Sequence, residues 1–216
     1  ALRAFGGQIA LLMKYKHYLY MQNLLESQGF IDFIGNIDYD WDYGIDYNLG
    51  NFKIRSRANR SKHLIECHLE LFNLQYDLSK VWLDVEPVFE YPIIVQAPFR
   101  YRRRNSKFNW KVLKKYRDLI AFVGKSSEYY RFCDFIQEEV HCWIIQDKSR
   151  LFDMLKFAKG IKGSKLFIGT QSIGWALAEG MKHPRVLDCG YPSNTMPYGK
   201  NWHLELTEEL IEKSLV

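Results

Sequence analysis

The sequence predicts an α/β protein with two Rossmann-like domains, the second of which is a doubly wound parallel sheet. From residue 91 onward, short apolar runs alternate with amphipathic segments and are joined by short connections. This alternation is typical of a parallel sheet that carries helices on both faces. The first part of the chain also follows a strand, helix, strand order, and an irregular stretch around Pro87 separates the two parts. We therefore assign residues 1–86 to the first domain and residues 87–216 to the second.

The first domain begins with an apolar run over residues 8–13, which predicts a strand. Residues 18–28 carry apolar side chains at helical spacing, and Gly29 ends this helix before a second short strand at 30–34. Residues 1–5 have the pattern of a helix end that is followed by a glycine pair. We expect that a further element precedes Ala1 and that this domain is truncated at its start.

An acidic segment follows, in which Asp38, Asp40, Asp42 and Asp46 alternate with aromatic residues. An EF-hand would need glycine at its sixth position and a carboxylate at its twelfth, and the sequence has Tyr43 and Leu49 there instead. The same residues contain the pattern D-x-D, which in some glycosyltransferases holds a metal-bound diphosphate. A solvated acidic loop is the simpler interpretation. We predict no metal site.

The second domain is predicted from its regular alternation of elements. We expect strands at 92–96, 119–123, 141–145, 165–168 and 185–188, and helices at 110–117, 126–138, 149–160, 172–181 and 207–215. In such a sheet the ligand crevice lies at the carboxyl ends of the strands, at the point where the strand order reverses. We expect this crevice to face the first domain, and the last helix to return toward that domain.

The turn Gly169-Thr170-Gln171-Ser172 joins a predicted strand to a predicted helix and is a candidate anion site. The N–H groups and the dipole at a helix start favour a phosphate, and the turn contains no acidic residue that would repel it. A serine N-cap on an ordinary strand-to-helix turn is the alternative interpretation.

Composition narrows the class of protein without selecting a function. The chain has 216 residues, of which 47% are hydrophobic, and its net charge of +5 suits anionic ligands of several kinds. No apolar run approaches the roughly 20 residues of a membrane-spanning helix. The four cysteines form no C-x-x-C pair, which suits buried thiols in a reducing compartment. We expect a cytoplasmic protein without a membrane span.

Several short motifs together resemble heptosyltransferase-like glycosyltransferases of the GT-B fold, especially poorly characterised bacterial and phage members. The resemblance covers nearly the whole chain. Its motifs are residues 24–28, Trp82-Leu83, Phe99-Arg100-Tyr101, Phe108-Asn109-Trp110, Phe122-Val123-Gly124, Glu128-Tyr129 with Phe132, and residues 167–172. The opening strand and Gly-Asp loop of that family, which carry an acidic residue near the acceptor, do not occur in this sequence. Characterised members also favour Asp at the position of Gln171 and His at that of Ala176, so donor identity does not carry over.

The resemblance implies a glycosyltransferase that uses a nucleotide sugar, binds its donor mainly with the second domain and needs neither metal nor cofactor. It implies donor or phosphate contacts from Arg100 and from the turn Gly169, Thr170, Gln171 and Ser172. Glu128 and Glu179 are candidates for contacts with the ribose or the sugar. For both glutamates the alternative is a structural role, and for Arg100 it is a solvated position in the basic run that continues to Arg104.

Two other functions stay open at this point. The first alternative, ranked after the glycosyltransferase, is a non-catalytic binding or structural protein that retains the GT-B fold. A nucleic-acid-modifying glycosyltransferase is the other alternative, with the basic clusters at 55–62 and 100–104 as its binding surface. The expected acceptor is a glycan, or in this last case a nucleic acid.

Overall fold

A computed structural model of the chain describes residues 10–13, 15–36, 64–71, 75–98, 108–145, 153–189 and 196–216. The chain divides into two compact units. The amino-terminal unit comprises residues 1–78 and 191–198, and the carboxyl-terminal unit comprises residues 79–190 and 199–216.

The amino-terminal unit contains a parallel pair of strands joined by a helix. Its described elements are β1 (Ala10–Met13), α1 (Tyr15–Glu26), β2 (Phe33–Asn36) and α2 (Leu64–Leu71). The two strands are parallel, with Ala10 opposite Phe33, so the predicted strand, helix, strand order is confirmed. The second strand begins three residues later than expected (33 − 30 = 3), because Ile31 N–H still bonds to Gln28 O at 3.0 Å in a turn.

The carboxyl-terminal unit is built on a six-stranded sheet. Its strands are β3 (Ile93–Gln96), β4 (Ile120–Gly124), β5 (His141–Ile145), β6 (Leu166–Thr170), β7 (Arg185–Asp188) and β8 (Trp202–His203). They lie in the order β5-β4-β3-β6-β7-β8, and every neighbouring pair is parallel. This is the 3-2-1-4-5-6 order of a doubly wound Rossmann sheet, so the predicted parallel sheet is confirmed.

Helices cover both faces of this sheet. They are α3 (Ser126–Ile136), α4 (Met154–Gly163), α5 (Ile173–Gly180) and α6 (Glu208–Leu215). Because side chains alternate along a strand, the sheet supports two apolar layers. One layer joins alternate strand residues such as Val95 and Ile168 to Phe132 of α3 and Ile211 of α6.

A 3₁₀ helix spans Trp110–Leu119 where the sequence predicts an α-helix. Its buried side chains are Trp110, Leu113 and Tyr116, which are spaced by three residues. A 3₁₀ helix has three residues per turn, so this spacing places all three on one face, whereas an α-helix would rotate them progressively away from the core. The backbone leaves helical geometry at Tyr116, where φ is −111°.

The segment that enters the sheet packs on the carboxyl-terminal unit from Ser79 onward. The N–H groups of Trp82 and Leu83 both bond to Gly180 O, and Val88 N–H bonds to Lys159 O. The boundary between the compact units therefore falls between residues 78 and 79, and not at the expected position before Pro87.

The last helix, α6, belongs to the carboxyl-terminal unit. Its N-cap is Thr207, whose side chain accepts a hydrogen bond from Leu210 N–H at 3.2 Å. Lys115 on the 3₁₀ helix contacts Glu208 and Glu212 of α6, each at 2.9 Å. The expected return of this helix toward the first domain stays a prediction.

Within the described part of the chain, no helix has the length and apolar character needed to cross a lipid bilayer.

Candidate binding site at the carboxyl edge of the sheet

The strand order reverses between β3 and β6. Gln96, the last residue of β3, lies opposite Gly169 of β6. After β3 the chain continues to β4 on one side, and after β6 it continues to β7 on the other. The connections diverge from this point, and in open α/β sheets such a point forms the ligand crevice. The predicted turn from Gly169 to Ser172 lies here, because β6 ends at Thr170 and α5 begins at Ile173.

A hydrogen-bond network joins the end of β3 to the start of α5. Ser172 occupies the N-cap position of α5, as predicted, but its side chain does not cap the helix. Its hydroxyl instead donates to Gln96 Oε1 at 2.6 Å. The same oxygen accepts from the backbone N–H of Gly174 at 2.8 Å. Gln96 therefore supplies the cap from a neighbouring strand.

This network limits which backbone groups an anion could use at the start of α5. We expected the backbone N–H groups after Thr170 to face an anion. The N–H of Gly174 is already bound to Gln96 Oε1, so an anion at this helix start would have to use other groups. The positive end of the helix dipole remains at the same place.

Two glycines allow this close packing. A Cβ on Gly174 would lie 2.6 Å from Gln96 Oε1 and 2.8 Å from the Phe157 and Phe167 rings. A Cβ on Gly169 would lie 2.7 Å from the Phe167 ring and 3.2 Å from Gln96 O. Both residues thus have a packing role inside the unit, and a ligand contact by Gly169 stays a prediction.

The neighbouring strands β6 and β7 each end in a polar residue, Thr170 and Asp188. Their side chains lie on the face of the sheet opposite to that of Gln96. Thr170 has no exposed surface, and among the described residues its Oγ1 is one of the buried polar atoms without a hydrogen-bond partner. Asp188 lies opposite Thr170 on β7 and is also buried. Its Oδ2 accepts from Trp110 Nε1 at 2.7 Å. The strands β3, β6 and β7 thus each carry a polar side chain at their carboxyl ends, along one edge of the sheet.

Glu128 lies at the same edge of the sheet, in the first turn of α3 after β4. Its Oε2 accepts a hydrogen bond at 3.0 Å from the backbone N–H of Lys125, the N-cap residue of α3. The carboxylate therefore has a structural role at the helix start. A contact with ribose or sugar stays a prediction.

Glu179 lies away from this site. It is near the end of α5, seven residues after Ser172, or about 10 Å along a helix axis. Its buried carboxylate pairs with Arg185, whose Nε lies 2.9 Å from Glu179 Oε2, and with Lys182. Burial lowers the pKa of Arg185, and Glu179 opposes that shift. This internal ion pair gives Glu179 a structural role, and its contact with ribose or sugar stays a prediction.

A second buried polar pair lies at the amino edge of the sheet. His183 Nε2 is 3.1 Å from Ser164 Oγ, and both side chains are buried. Burial, with smaller contributions from Lys162 and Arg185, lowers the pKa of His183 to about 4. This imidazole is therefore neutral at physiological pH.

The structure thus brings together Gly169, Thr170 and Ser172, with Gln171 half-buried between them. Arg100 lies outside the described residues, as does the acidic segment from Asp38 to Asp46. The sequence prediction missed Gln96 and Asp188. The available signal is the polar residue that ends each of these strands, Ile93–Gln96 and Arg185–Asp188.

Within the described ranges, no group of three or more His, Cys, Asp or Glu side chains is arranged to hold a metal ion.

Comparison with known proteins supports the fold. No protein-family model matches the chain, and no curated protein sequence matches it. Among solved structures, the chain is similar to the glycosyl transferase family 9 protein from Veillonella parvula DSM 2008. The TM-score is 0.57 at 13% sequence identity, and the alignment covers 100% of this chain and 87% of that one. At this identity the similarity shows a shared α/β fold.

Proposed function

We propose that the chain is a metal-independent glycosyltransferase of the GT-B type that transfers a sugar from a nucleotide-activated donor. The observation that carries this proposal is the switch point between β3 and β6, where α5 begins. A helix start at a switch point favours a phosphate through its dipole and through those N–H groups that are not already bonded, which here excludes the Gly174 N–H. The fold shared with a family 9 glycosyl transferase agrees with this assignment.

In this proposal the donor diphosphate lies beside Thr170 and Ser172, and Arg100 supplies positive charge. In the sequence, Arg100 follows the last residue of β3 by four positions (100 − 96 = 4). As the sugar leaves, negative charge grows on the diphosphate. A basic side chain and oriented dipoles stabilise that charge without a metal ion. The acceptor, a glycan, is assigned to the amino-terminal unit.

A thermal-shift screen with ADP, GDP, UDP and CDP tests this function. A ligand at about 100 times its Kd should stabilise the folded state by about 2.7 kcal/mol. We expect one of these nucleotides to stabilise the chain, and EDTA to leave the effect unchanged. An absence of stabilisation by all four, and by their nucleotide sugars, would contradict the proposal and favour the non-catalytic alternative.

The role of Arg100 is tested by Arg100→Ala, with Arg131→Ala as the matched control. Arg131 is an exposed arginine on α3 of the same unit. We expect Arg100→Ala to weaken nucleoside-diphosphate binding and Arg131→Ala to leave it unchanged. Equal affinities in both variants would remove Arg100 from the site. Binding of duplex DNA with a steep salt dependence would instead support the nucleic-acid-modifying alternative.

A further inference from the structure

Gln96 is the one polar residue of an otherwise apolar, buried strand. It ends the strand Ile93–Gln96, whose four residues are all buried, and its own exposure is 7%. Burial of a side-chain amide is unfavourable unless its polar atoms are satisfied. The hydrogen bonds from Ser172 and Gly174 satisfy Oε1. Neither bond uses the two N–H donors of Nε2.

The orientation of this amide follows from its partners. A backbone N–H can only donate, so the Gln96 atom that faces Gly174 N must be the acceptor Oε1. The Nε2 group, with its two N–H donors, therefore occupies the other branch of the amide. Both hydrogen bonds that join this amide to Ser172 and Gly174 end on Oε1 and use neither donor of Nε2. It lies at the carboxyl edge, in the residue that faces Gly169 across the switch point.

We propose that Gln96 binds the donor diphosphate directly, through Nε2, while its Oε1 holds the first turn of α5 in place. This inference rests on the proposed function. An amide is suited to both tasks because it is neutral and carries an acceptor and two donors on one rigid plane. A carboxylate would perform the first task equally well and would repel the ligand in the second.

That difference allows Gln96→Glu to separate the two roles. The Glu carboxylate can still accept from Gly174 N–H and Ser172 Oγ, and a negative charge is favourable at a helix start. We therefore expect the melting temperature to be kept or raised. The same change removes both donors and places a negative charge against the phosphates. We expect affinity for the tightest-binding nucleoside diphosphate to fall at least tenfold, while affinity for the corresponding nucleoside changes less than twofold.

The matched control is Gln137→Glu, which adds the same charge to the same unit. Gln137 is exposed and follows the end of α3, at the amino edge of the sheet. We expect this variant to bind nucleoside diphosphates as the wild type does. Gln96→Met removes both roles and should lower the melting temperature and the affinity together.

Calorimetric titrations with ADP, GDP, UDP and CDP give each outcome a separate meaning. If the wild type binds none of them, the proposed function is overturned, and this inference with it. If the wild type binds one and Gln96→Glu binds it within twofold while folded, only the role of Nε2 is overturned. A fall of equal size in Gln137→Glu would also overturn it, because the effect would then be one of net charge.

A measurement on the wild-type chain keeps the inference testable if Gln96→Glu does not fold. The side-chain amide of Gln96 gives its own pair of signals in a ¹H–¹⁵N correlation spectrum. We expect these signals to shift on addition of the nucleoside diphosphate and to stay in place on addition of the nucleoside. Signals that move with neither ligand, at saturating diphosphate, would overturn the proposal.

Discussion

The indole Nε1 of Trp110 donates a hydrogen bond to Oδ2 of Asp188 at 2.7 Å, across 78 residues of sequence. Both side chains are buried. The bond attaches the start of the 3₁₀ helix to the carboxyl end of β7, beside the proposed donor site. It shows how side chains at the ends of apolar strands organise this edge of the sheet.

Removal of this bond should be costly. We expect Trp110→Phe to lower the free energy of unfolding by about 2–3 kcal/mol, because a buried hydrogen bond to a carboxylate contributes about 1.5–3 kcal/mol and the smaller ring also loses contacts. Urea unfolding measures the change. Trp202→Phe is the control, since Trp202 Nε1 donates to Gly199 O at an exposed site. An equal loss in both variants would contradict a special role for the Asp188 bond.

Gly174 should tolerate no side chain. In Gly174→Ala the new Cβ would lie within 2.8 Å of Gln96 Oε1 and two phenylalanine rings, so the neighbours must move. We expect a loss of about 1–3 kcal/mol in unfolding free energy, as is typical of an overpacked core. Gly29→Ala is the control, because a Cβ on Gly29 would meet no atom within 4 Å. A Gly174→Ala variant as stable as the wild type would show that Gln96 can shift freely.

The buried ion pair of Glu179 with Arg185 should be sensitive to loss of one partner. Glu179→Gln leaves the Arg185 guanidinium buried without its carboxylate, which typically costs about 3–5 kcal/mol. The exposed pair of Lys115 and Glu212 is the comparison. We expect Lys115→Met to leave the unfolding midpoint unchanged, because solvent screens that pair. A larger effect from Lys115→Met than from Glu179→Gln would reverse this assignment.

His183 should make the carboxyl-terminal unit less stable in acid. Its pKa falls from 6.5 to about 4 on folding, so below pH 6.5 the unfolded chain binds a proton that the folded chain does not. Stability is therefore lost as the pH falls from about 6.5 toward 4, by about 2 kcal/mol between pH 7 and pH 5. Five of the six tryptophans, at 82, 110, 143, 175 and 202, lie in this unit, so their fluorescence during urea unfolding reports on it.

His183→Gln provides the comparison for this pH dependence. The amide can still bond to Ser164 and does not titrate, so we expect a smaller loss of stability between pH 7 and pH 5 than in the wild type. If the unfolding free energies of the two proteins fell by the same amount between pH 7 and pH 5, the acid sensitivity would belong to groups other than His183.

Much of the fold could be predicted because its signals are local. The apolar runs at 93–96 and 166–170 are short and bounded by polar residues, and the segments between strands have helical spacing. The turn at Gly169 to Ser172 also follows from its neighbours along the chain. The 3₁₀ helix could not be predicted, because residues 110, 113 and 116 suit either kind of helix over one or two turns until the packing partners are known.

The sequence by itself determined the α/β fold class, the parallel sheet and the strand-to-helix turn, since these depend on residues within a few positions of one another. Only the tertiary structure decided which residues complete the site. Gln96 meets Gly174, and Asp188 meets Trp110, in each case across 78 residues. These meetings depend on the strand order and on the register that places Gln96 opposite Gly169. Strand order is a property of the whole folded chain, so no local pattern of residues encodes it.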